Sequence, residues 1–465
     1  MQVKLKTMTI KREHFIVIGP LLALVFYFIL ESLSVADKPA IAAAITLLTV
    51  VWWVSEAIPI PATSLVPFAL LPLFGILDHK AVASSLGSHV ILLLMGAFML
   101  SKSLEKSGAH ERLAIYMIRL VGVSSGRRLV LGFMLAAGFL SMWISNTATT
   151  LIMLPMALAI LSHVDNKNLK VALILGIAYA SSVGGLGTLI GTPPNVIFAG
   201  IYEEHTGKEF GFLAWMKIGL PVVLIALPIM ALWLTRHVKL EHDLVLPELG
   251  TWRTEEKRTL LVFGLTALAW ITRSEPFGGW SGFFEIKGVG DSTVALFAAV
   301  VMFMIPNGKE GRLLDWNTAK TIPWGMLLLF AGGIAIAKGF TASGLSAMMG
   351  DWLTSLSNLP PILMMLTICL FVTYLTEITS NTATATLLMP ILAVAAISSG
   401  LDPAILMIPA AMAASCAFML PVATAPNAIA YGSGEIEIKT MVKEGAVLSF
   451  IISSMLAMVC YFLLV

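Results

Sequence analysis

The chain has 465 residues, of which 58% are hydrophobic and 12% charged, with a formal net charge of +2 and a mean hydropathy of +0.91. Soluble domains carry roughly 25% charged residues, so the composition argues against a water-soluble enzyme and against a disordered chain. The near-zero charge gives no electrostatic basis for a nucleic-acid partner. Residues 129–164, 378–401, 403–434 and 445–465 contain no Asp, Glu, Lys or Arg. Several of these tracts exceed the roughly 20 residues a helix needs to cross a bilayer. The chain reads as an all-α polytopic membrane protein.

Lys4, Lys6, Lys11 and Arg12 precede an apolar run from Phe15 to Leu30. No small-residue cleavage site follows it, so it reads as a first transmembrane helix and not a removed signal. Further spans are expected near 39–57, 62–77, 85–102, 171–190, 212–235, 259–272, 291–306, 322–341, 404–420 and 445–465, making eleven crossings. Two apolar regions remain, about 129–161 and 361–397, each long enough for two helices but with Ser-Asn-Thr at its middle. They read as re-entrant hairpins, although an ordinary helical pair restores chain direction equally well. With a cytoplasmic N-terminus and both hairpins re-entrant, inside segments hold 22 of the 29 Lys and Arg. That asymmetry follows the positive-inside tendency and puts the C-terminus outside. Segment 104–122 mixes apolar positions with Glu105, Lys106, Glu111, Arg112 and Arg119. It reads as a helix lying in the cytoplasmic interface, with an extension of the preceding span as the alternative. Cys369, Cys416 and Cys460 all lie in apolar segments without C-x-x-C spacing and read as small hydrophobes.

The chain repeats itself at an offset of about 235 residues. ISNTATTLIMLP (Ile144–Pro155) matches TSNTATATLLMP (Thr379–Pro390), and LLLMGAFMLSKSLEKSG from Leu92 matches LLLFAGGIAIAKGFTASG from Leu327. Downstream, GTPPN (Gly191–Asn195) matches ATAPN (Ala423–Asn427). The expected organisation is scaffold helices over 1–84, a first repeat over 85–235, linking and scaffold helices over 236–320, and a second repeat over 321–465. With the spans above, the two repeats are inverted in the membrane, a recurrent transporter architecture.

Ser145, Asn146, Thr147, Ser380, Asn381 and Thr382 offer hydroxyl and amide groups inside apolar stretches. Such groups can hydrogen-bond a carboxylate while turning carbonyl oxygens toward a cation. Their partners are the breaks at Gly184–Asn195 and Pro421–Asn427, where glycine and proline interrupt a helix and free its backbone groups. GGLGTLIG lacks the Lys-Ser/Thr ending of a phosphate-binding loop and does not follow a strand. No Lys or Arg falls near either Ser-Asn-Thr corner, so a bound anion needs its charge offset by something other than a side chain. A co-transported cation meets that need. Glu377, four residues before Asn381, reads either as a proton site or ion-site support, or as an acid satisfied by Thr373 or a loop. Glu56 reads as interfacial, His110 and His163 as facing the cytoplasm without a metal-ligand pattern, and Trp52 and Trp53 as interface anchors.

The duplicated Ser-Asn-Thr, the TPPN and TAPN breaks and the stretch AAMAASCAFMLPVATAPNAIAYGSG (Ala410–Gly434) resemble the divalent anion/sodium symporter family. The resemblance covers nearly the whole chain. It implies a homodimer in the bacterial cytoplasmic (inner) membrane, with a fixed scaffold and a mobile domain moving by an elevator mechanism. It implies no enzyme activity and no cofactor, with Na+ as the coupling ion. A first sodium site would use Ser141, Ser145, Asn146 and Gly191; a second would use Thr376, Thr379, Asn381 and Ala423. The anion would be held by Ser145, Asn146, Thr147, Thr192, Ser380, Asn381, Thr382, Thr424 and Pro426. Thr192 stands where relatives may carry Ser. Two intact corners imply a C4-dicarboxylate such as succinate, malate or fumarate; sodium-independent exchange and sodium:sulfate symport are the alternatives.

Overall fold

The computed structural model describes residues 12–162, 164, 166–239, 249–286, 288–353 and 360–465. Lys4, Lys6, Lys11 and His163 lie outside the described residues. Within them, regular structure is helical apart from one isolated bridge between Pro306 and Arg312. Eight of the described helices are long and apolar enough to cross a membrane. The chain divides into two compact units, residues up to Gly87 with Trp324–Trp352, and Ser88–Pro323 with Leu353–Val465.

In the first unit the helix Trp324–Ser343 packs against Asp37–Ser55, Val66–Leu73 and His79–Leu86. Small residues permit this approach: a side chain on Gly332 would meet the Ser64 backbone within 2.8 Å. The span expected near 62–77 is two short helices, Ile60–Thr63 and Val66–Leu73, consistent with prolines at 59, 61, 67 and 72. Glu56 ends its helix in the left-handed region and pairs with Arg12 at 2.7 Å, half exposed as an interfacial acid would be. Trp53 is not an interface anchor. It is 3% exposed, and its indole N–H donates to Ser64 Oγ at 3.1 Å inside the unit.

Ten helices of the second unit fall into two sets of five. The first set is α1 (Gly126–Ser141), α2 (Asn146–Leu161), α3 (Lys167–Gly184), α4 (Pro193–Thr206) and α5 (Phe212–Leu234). The second is α6 (Pro361–Thr376), α7 (Asn381–Ser398), α8 (Ala404–Ala413), α9 (Ala425–Gly432) and α10 (Ile438–Leu464). The contacts repeat with the sequence. α1 packs on α3 and α5 as α6 packs on α8 and α10, and α2 meets α3 as α7 meets α8. Between sets the packing is crossed: α2 lies against α9, and α7 against α4. The second arm of each pair, α2 or α7, therefore rests on the helix that follows the other set's break.

Helices His89–Ser107, Thr254–Ile271 and Asp291–Met304 pack together beside these ten. Gly108, at φ +72°, separates His89–Ser107 from Ala109–Val121, so the amphipathic segment is a helix of its own and no extension of the span. Its inner face carries Arg112, buried against Glu256 at 3.1 Å and donating to the carbonyls of Gly250 and Thr251; its outer face exposes Leu120. His110 does not face the cytoplasm. It is buried, with Nδ1 3.0 Å from the Leu104 carbonyl oxygen, because it sits on that same inner face. The helix expected over 404–420 stops at Ala413, so the second break runs from 414 to 424 and begins seven residues before Pro421.

Candidate substrate and cation site

Both Ser-Asn-Thr corners are built alike. α1 ends at Ser141, and α2 starts at Asn146 with Ser145 as its cap, whose Oγ accepts from the Ala148 amide at 3.2 Å. α6 ends at Thr376, and α7 starts at Asn381 after Ser380. Ser141 Oγ lies 2.6 Å from Asn146 Oδ1 and 2.6 Å from the Ser181 carbonyl oxygen of α3. In the second set Thr376 Oγ1 lies 2.6 Å from Asn381 Oδ1 and 3.0 Å from the Ala414 carbonyl oxygen. A hydroxyl five residues before each Asn thus ties the corner to the end of the adjacent broken helix. Thr379 Oγ1 donates to the Leu375 carbonyl and meets Thr384 Oγ1 at 2.6 Å. Ser145 and Ser380 are exposed, and Asn146, Thr147, Asn381 and Thr382 partly so, so the polar tips face open space.

The breaks repeat just as closely. Asn195 Nδ2 donates to the carbonyls of Gly185 (2.9 Å) and Thr188 (2.8 Å), ten and seven residues earlier. Asn427 Nδ2 donates to those of Ala417 and Leu420 at 3.0 Å each, with the same two spacings. Each asparagine uses both N–H groups to hold a non-helical loop closed, which satisfies two of the carbonyls freed by the interruption. In both, Oδ1 is buried without a partner. Thr424 caps α9 by accepting from the Asn427 amide at 3.1 Å, whereas the buried Thr192 hydroxyl lies 3.3 Å from Ser415 Oγ and so joins the two breaks. Pro426 is buried beneath the surface.

The first set brings the expected cation ligands together. A Cβ on Gly185 would lie 2.9 Å from the Gly191 carbonyl oxygen, 3.0 Å from Asn146 Oδ1 and 3.1 Å from Thr192 Cβ. Two uncharged oxygens therefore converge on a space that only glycine leaves open. Among the described residues no group of three His, Cys, Asp or Glu gathers to hold a metal ion. The ligands on offer are hydroxyl, amide and carbonyl oxygens, which suit a hard cation and not a thiolate- or imidazole-binding metal. Four helices, α2, α4, α7 and α9, begin at these motifs. Their N-termini carry partial positive charge, although α4 opens on Pro193 and Pro194, which have no N–H to offer, so the tips can attract an anion with no basic side chain.

Glu377 is buried and its question is answered by the loop. Its carboxylate accepts from the amides of Phe418 (2.7 Å), Met419 (3.0 Å) and Leu420 (3.1 Å), and Ser449 Oγ lies 3.4 Å away. Those amides are unavailable to a helix, so the chain stays irregular through 418–420. Sequence reasoning passed over Asn195, Asn427, Gly185 and Ser415 as individual residues. The Asn closing both TPPN and TAPN was the available signal for the first two.

A two-fold repeated helical membrane unit with interrupted helices and polar, uncharged corners defines a membrane transport protein. The chain belongs to the citrate transporter family, whose model matches residues 50–405. The sodium-dependent dicarboxylate transporter SdcS of Staphylococcus saprophyticus is 42% identical over 96% of this chain and 90% of its own length. The transporter of the same name from Staphylococcus aureus strain MRSA252 is 42% identical over 97% and 90%. Two solved structures share the fold. The Alcanivorax borkumensis YdaH transporter has a TM-score of 0.58 and 15% identity, covering 82% of this chain and 87% of that one. Neisseria gonorrhoeae MtrF has a TM-score of 0.59 and 14% identity, covering 84% of each. The resemblance to sodium-coupled anion carriers read from the duplicated motifs holds.

Proposed function

We propose that this protein takes up C4-dicarboxylates, such as succinate, malate and fumarate, driven by a sodium gradient across the bacterial cytoplasmic membrane. The relatives named as sodium-dependent dicarboxylate transporters support the ion and the substrate class. The observation that carries the reading is the duplicated corner-and-break unit, with the same hydroxyl–asparagine–carbonyl and asparagine–two-carbonyl bonds in each set. Ser145, Asn146, Thr147 and Thr192 from one set and Ser380, Asn381, Thr382 and Thr424 from the other clasp the two carboxylates, with the buried Pro426 shaping the loop beneath them. One sodium ion binds among Ser141, Ser145, Asn146 and Gly191, and another among Thr376, Thr379, Asn381 and Ala423. The hairpins are re-entrant, the N-terminus is cytoplasmic and the C-terminus external. The protein works as a homodimer in which a mobile domain carries the site past a fixed scaffold by an elevator movement.

Purified protein in vesicles tests this directly. Labelled succinate should enter faster with an inward sodium gradient than with potassium, and unlabelled malate and fumarate should compete better than sulfate. Equal uptake in the two salts refutes sodium coupling; uptake that requires internal dicarboxylate assigns exchange instead.

A further inference from the structure

At one matched position the two sets differ by a charge. Met142 follows Ser141 as Glu377 follows Thr376. The Met142 side chain lies over Gly187: a Cβ there would be 2.8 Å from its Cε and 3.0 Å from its Sδ. Thr188 Oγ1 reaches the Met142 carbonyl at 2.5 Å. Glu377 spans the matching gap with its carboxylate on the amides of Phe418, Met419 and Leu420. Residues 185–187 form a short 3-10 turn, whereas the matching 417–419 are irregular. The partners of the carboxylate are three amides and one hydroxyl, none of them a cation.

We infer that Glu377 is a positioning residue that gives the second cation site a fixed negative charge the first lacks, so that the two sites bind sodium unequally, the second more tightly. This rests on the sodium-coupled reading above. The connection is short. Glu377 holds the Leu420 amide, and the Leu420 carbonyl accepts from the Ala423 amide at 3.2 Å and from Asn427 Nδ2 at 3.0 Å. Ala423 is a proposed ligand of the second ion, and Glu377 is bracketed in sequence by two others, Thr376 and Thr379. The first set has the same relay from Thr188 to Gly191 and Asn195, at 3.3 Å and 2.8 Å, without the acid.

The test is sodium-dependent thermal stabilisation of the purified protein, titrated with NaCl against KCl at constant ionic strength, alongside uptake. Glu377→Gln keeps the shape and removes the charge, and should raise the sodium midpoint about fivefold or more, while the succinate KM at saturating sodium stays within about twofold. Glu377→Asp retains the charge and should lie between wild type and Glu377→Gln. Equal shifts in the two variants would make the effect geometric and overturn the inference. So would a Glu377→Gln protein that melts lower yet keeps the wild-type sodium midpoint. If Glu377→Gln does not assemble, Glu377→Asp decides: its midpoint stays within about threefold of wild type under the charge reading and shifts further if geometry alone matters. A wild-type protein that sodium does not stabilise, and that takes up succinate equally in both salts, removes the function proposed above and this inference with it. Sodium stabilisation with unshifted variants removes the inference alone.

Discussion

Gly445→Ala places the first demand on the two-fold design. Gly445 on α10 lies against the second break so closely that a Cβ would fall inside contact distance of the Phe418 carbonyl oxygen, 2.5 Å from Phe418 C and 2.7 Å from Met419 Cα. Gly219 on α5 stands in the same relation to Leu186, with the carbonyl oxygen inside contact distance and the carbon at 3.2 Å. These are backbone atoms that cannot rotate aside. The Phe418 peptide is held on both faces, its amide by Glu377 and its carbonyl by the Tyr179 hydroxyl at 2.7 Å. Restoring an ordinary separation requires the break and α10 to part by roughly 1 Å, at an overpacking cost of about 1–3 kcal/mol. Spent on the equilibrium between a formed and a displaced break, that is roughly a 5- to 150-fold loss of the formed state. Sodium-driven succinate uptake, normalised to protein in the membrane, should fall at least about fivefold in both Gly445→Ala and Gly219→Ala, the loss expected for roughly 1 kcal/mol. Gly264, in the helix Thr254–Ile271, has only open space within 4 Å of where a methyl group would stand. Gly264→Ala should transport normally and melt slightly higher, since Ala favours a helix interior over Gly by about 1 kcal/mol. Wild-type uptake by Gly445→Ala would show that α10 and the break are not packed as described.

Three further outcomes follow from the same bonds. Asn146→Ala and Asn381→Ala each remove an amide shared between ion and anion, so each should raise both the sodium and the succinate requirement by about tenfold, the loss expected for one bond to a charged group; an unchanged substrate affinity in both would contradict the placement of the tips. Asn427→Ala leaves the Ala417 carbonyl without its donor and the Leu420 carbonyl with the Ala423 amide alone, and a destabilisation of roughly 2–3 kcal/mol, read as a lower melting temperature, is expected for two lost bonds; Asn427→Asp should be no better, because its added oxygen faces a carbonyl. Asp315 is held down at about 2 by the Lys106 ammonium and then by the Thr318 amide, at 2.6 and 2.8 Å. Because the folded value lies below the ordinary 3.8, the pair stabilises the protein above about pH 4 and the contribution fades as pH falls toward 2. The melting difference between wild type and Asp315→Asn should therefore narrow across that window, and a constant difference would refute the linkage.

Local spacing carries far in this sequence, and long-range bonding does not. Asn146 and Asn381 stand out because a polar triplet in an apolar tract is conspicuous and occurs twice, and the first break is bounded correctly at Gly184 because Gly-Gly and Pro-Pro both mark it. The second break offers Pro421 as its visible marker, yet the helix ends at Ala413, and the Phe418 amide beyond it bonds a carboxylate 41 residues upstream. No periodicity contains that information. Trp53 misleads for a related reason: Trp at a helix end reads as an interface anchor, but its N–H meets Ser64 eleven residues on, inside the unit. The helix Trp324–Ser343 resembles His89–Ser107 in sequence, whereas its packing partners are the N-terminal helices. Gly219 and Gly445 are ordinary glycines until the carbonyls they abut are known.

The lack of a basic side chain at the corners is itself a coupling device under the proposed function. An arginine would bind a dicarboxylate whether or not sodium were present, since a bidentate charge pair needs no third party. Helix N-termini supply only partial charges, too little to hold two carboxylates away from water. The remaining attraction has to come from cations bound to the same asparagines, Asn146 and Asn381, whose Oδ1 atoms already meet the Ser141 and Thr376 hydroxyls. Each ligand then completes the other's site, and linkage makes the dependence reciprocal: sodium tightens the anion by the factor that the anion tightens sodium. Placing that shared asparagine at the point where a hairpin tip meets a break makes the occupancy of both ligands a condition on one local geometry.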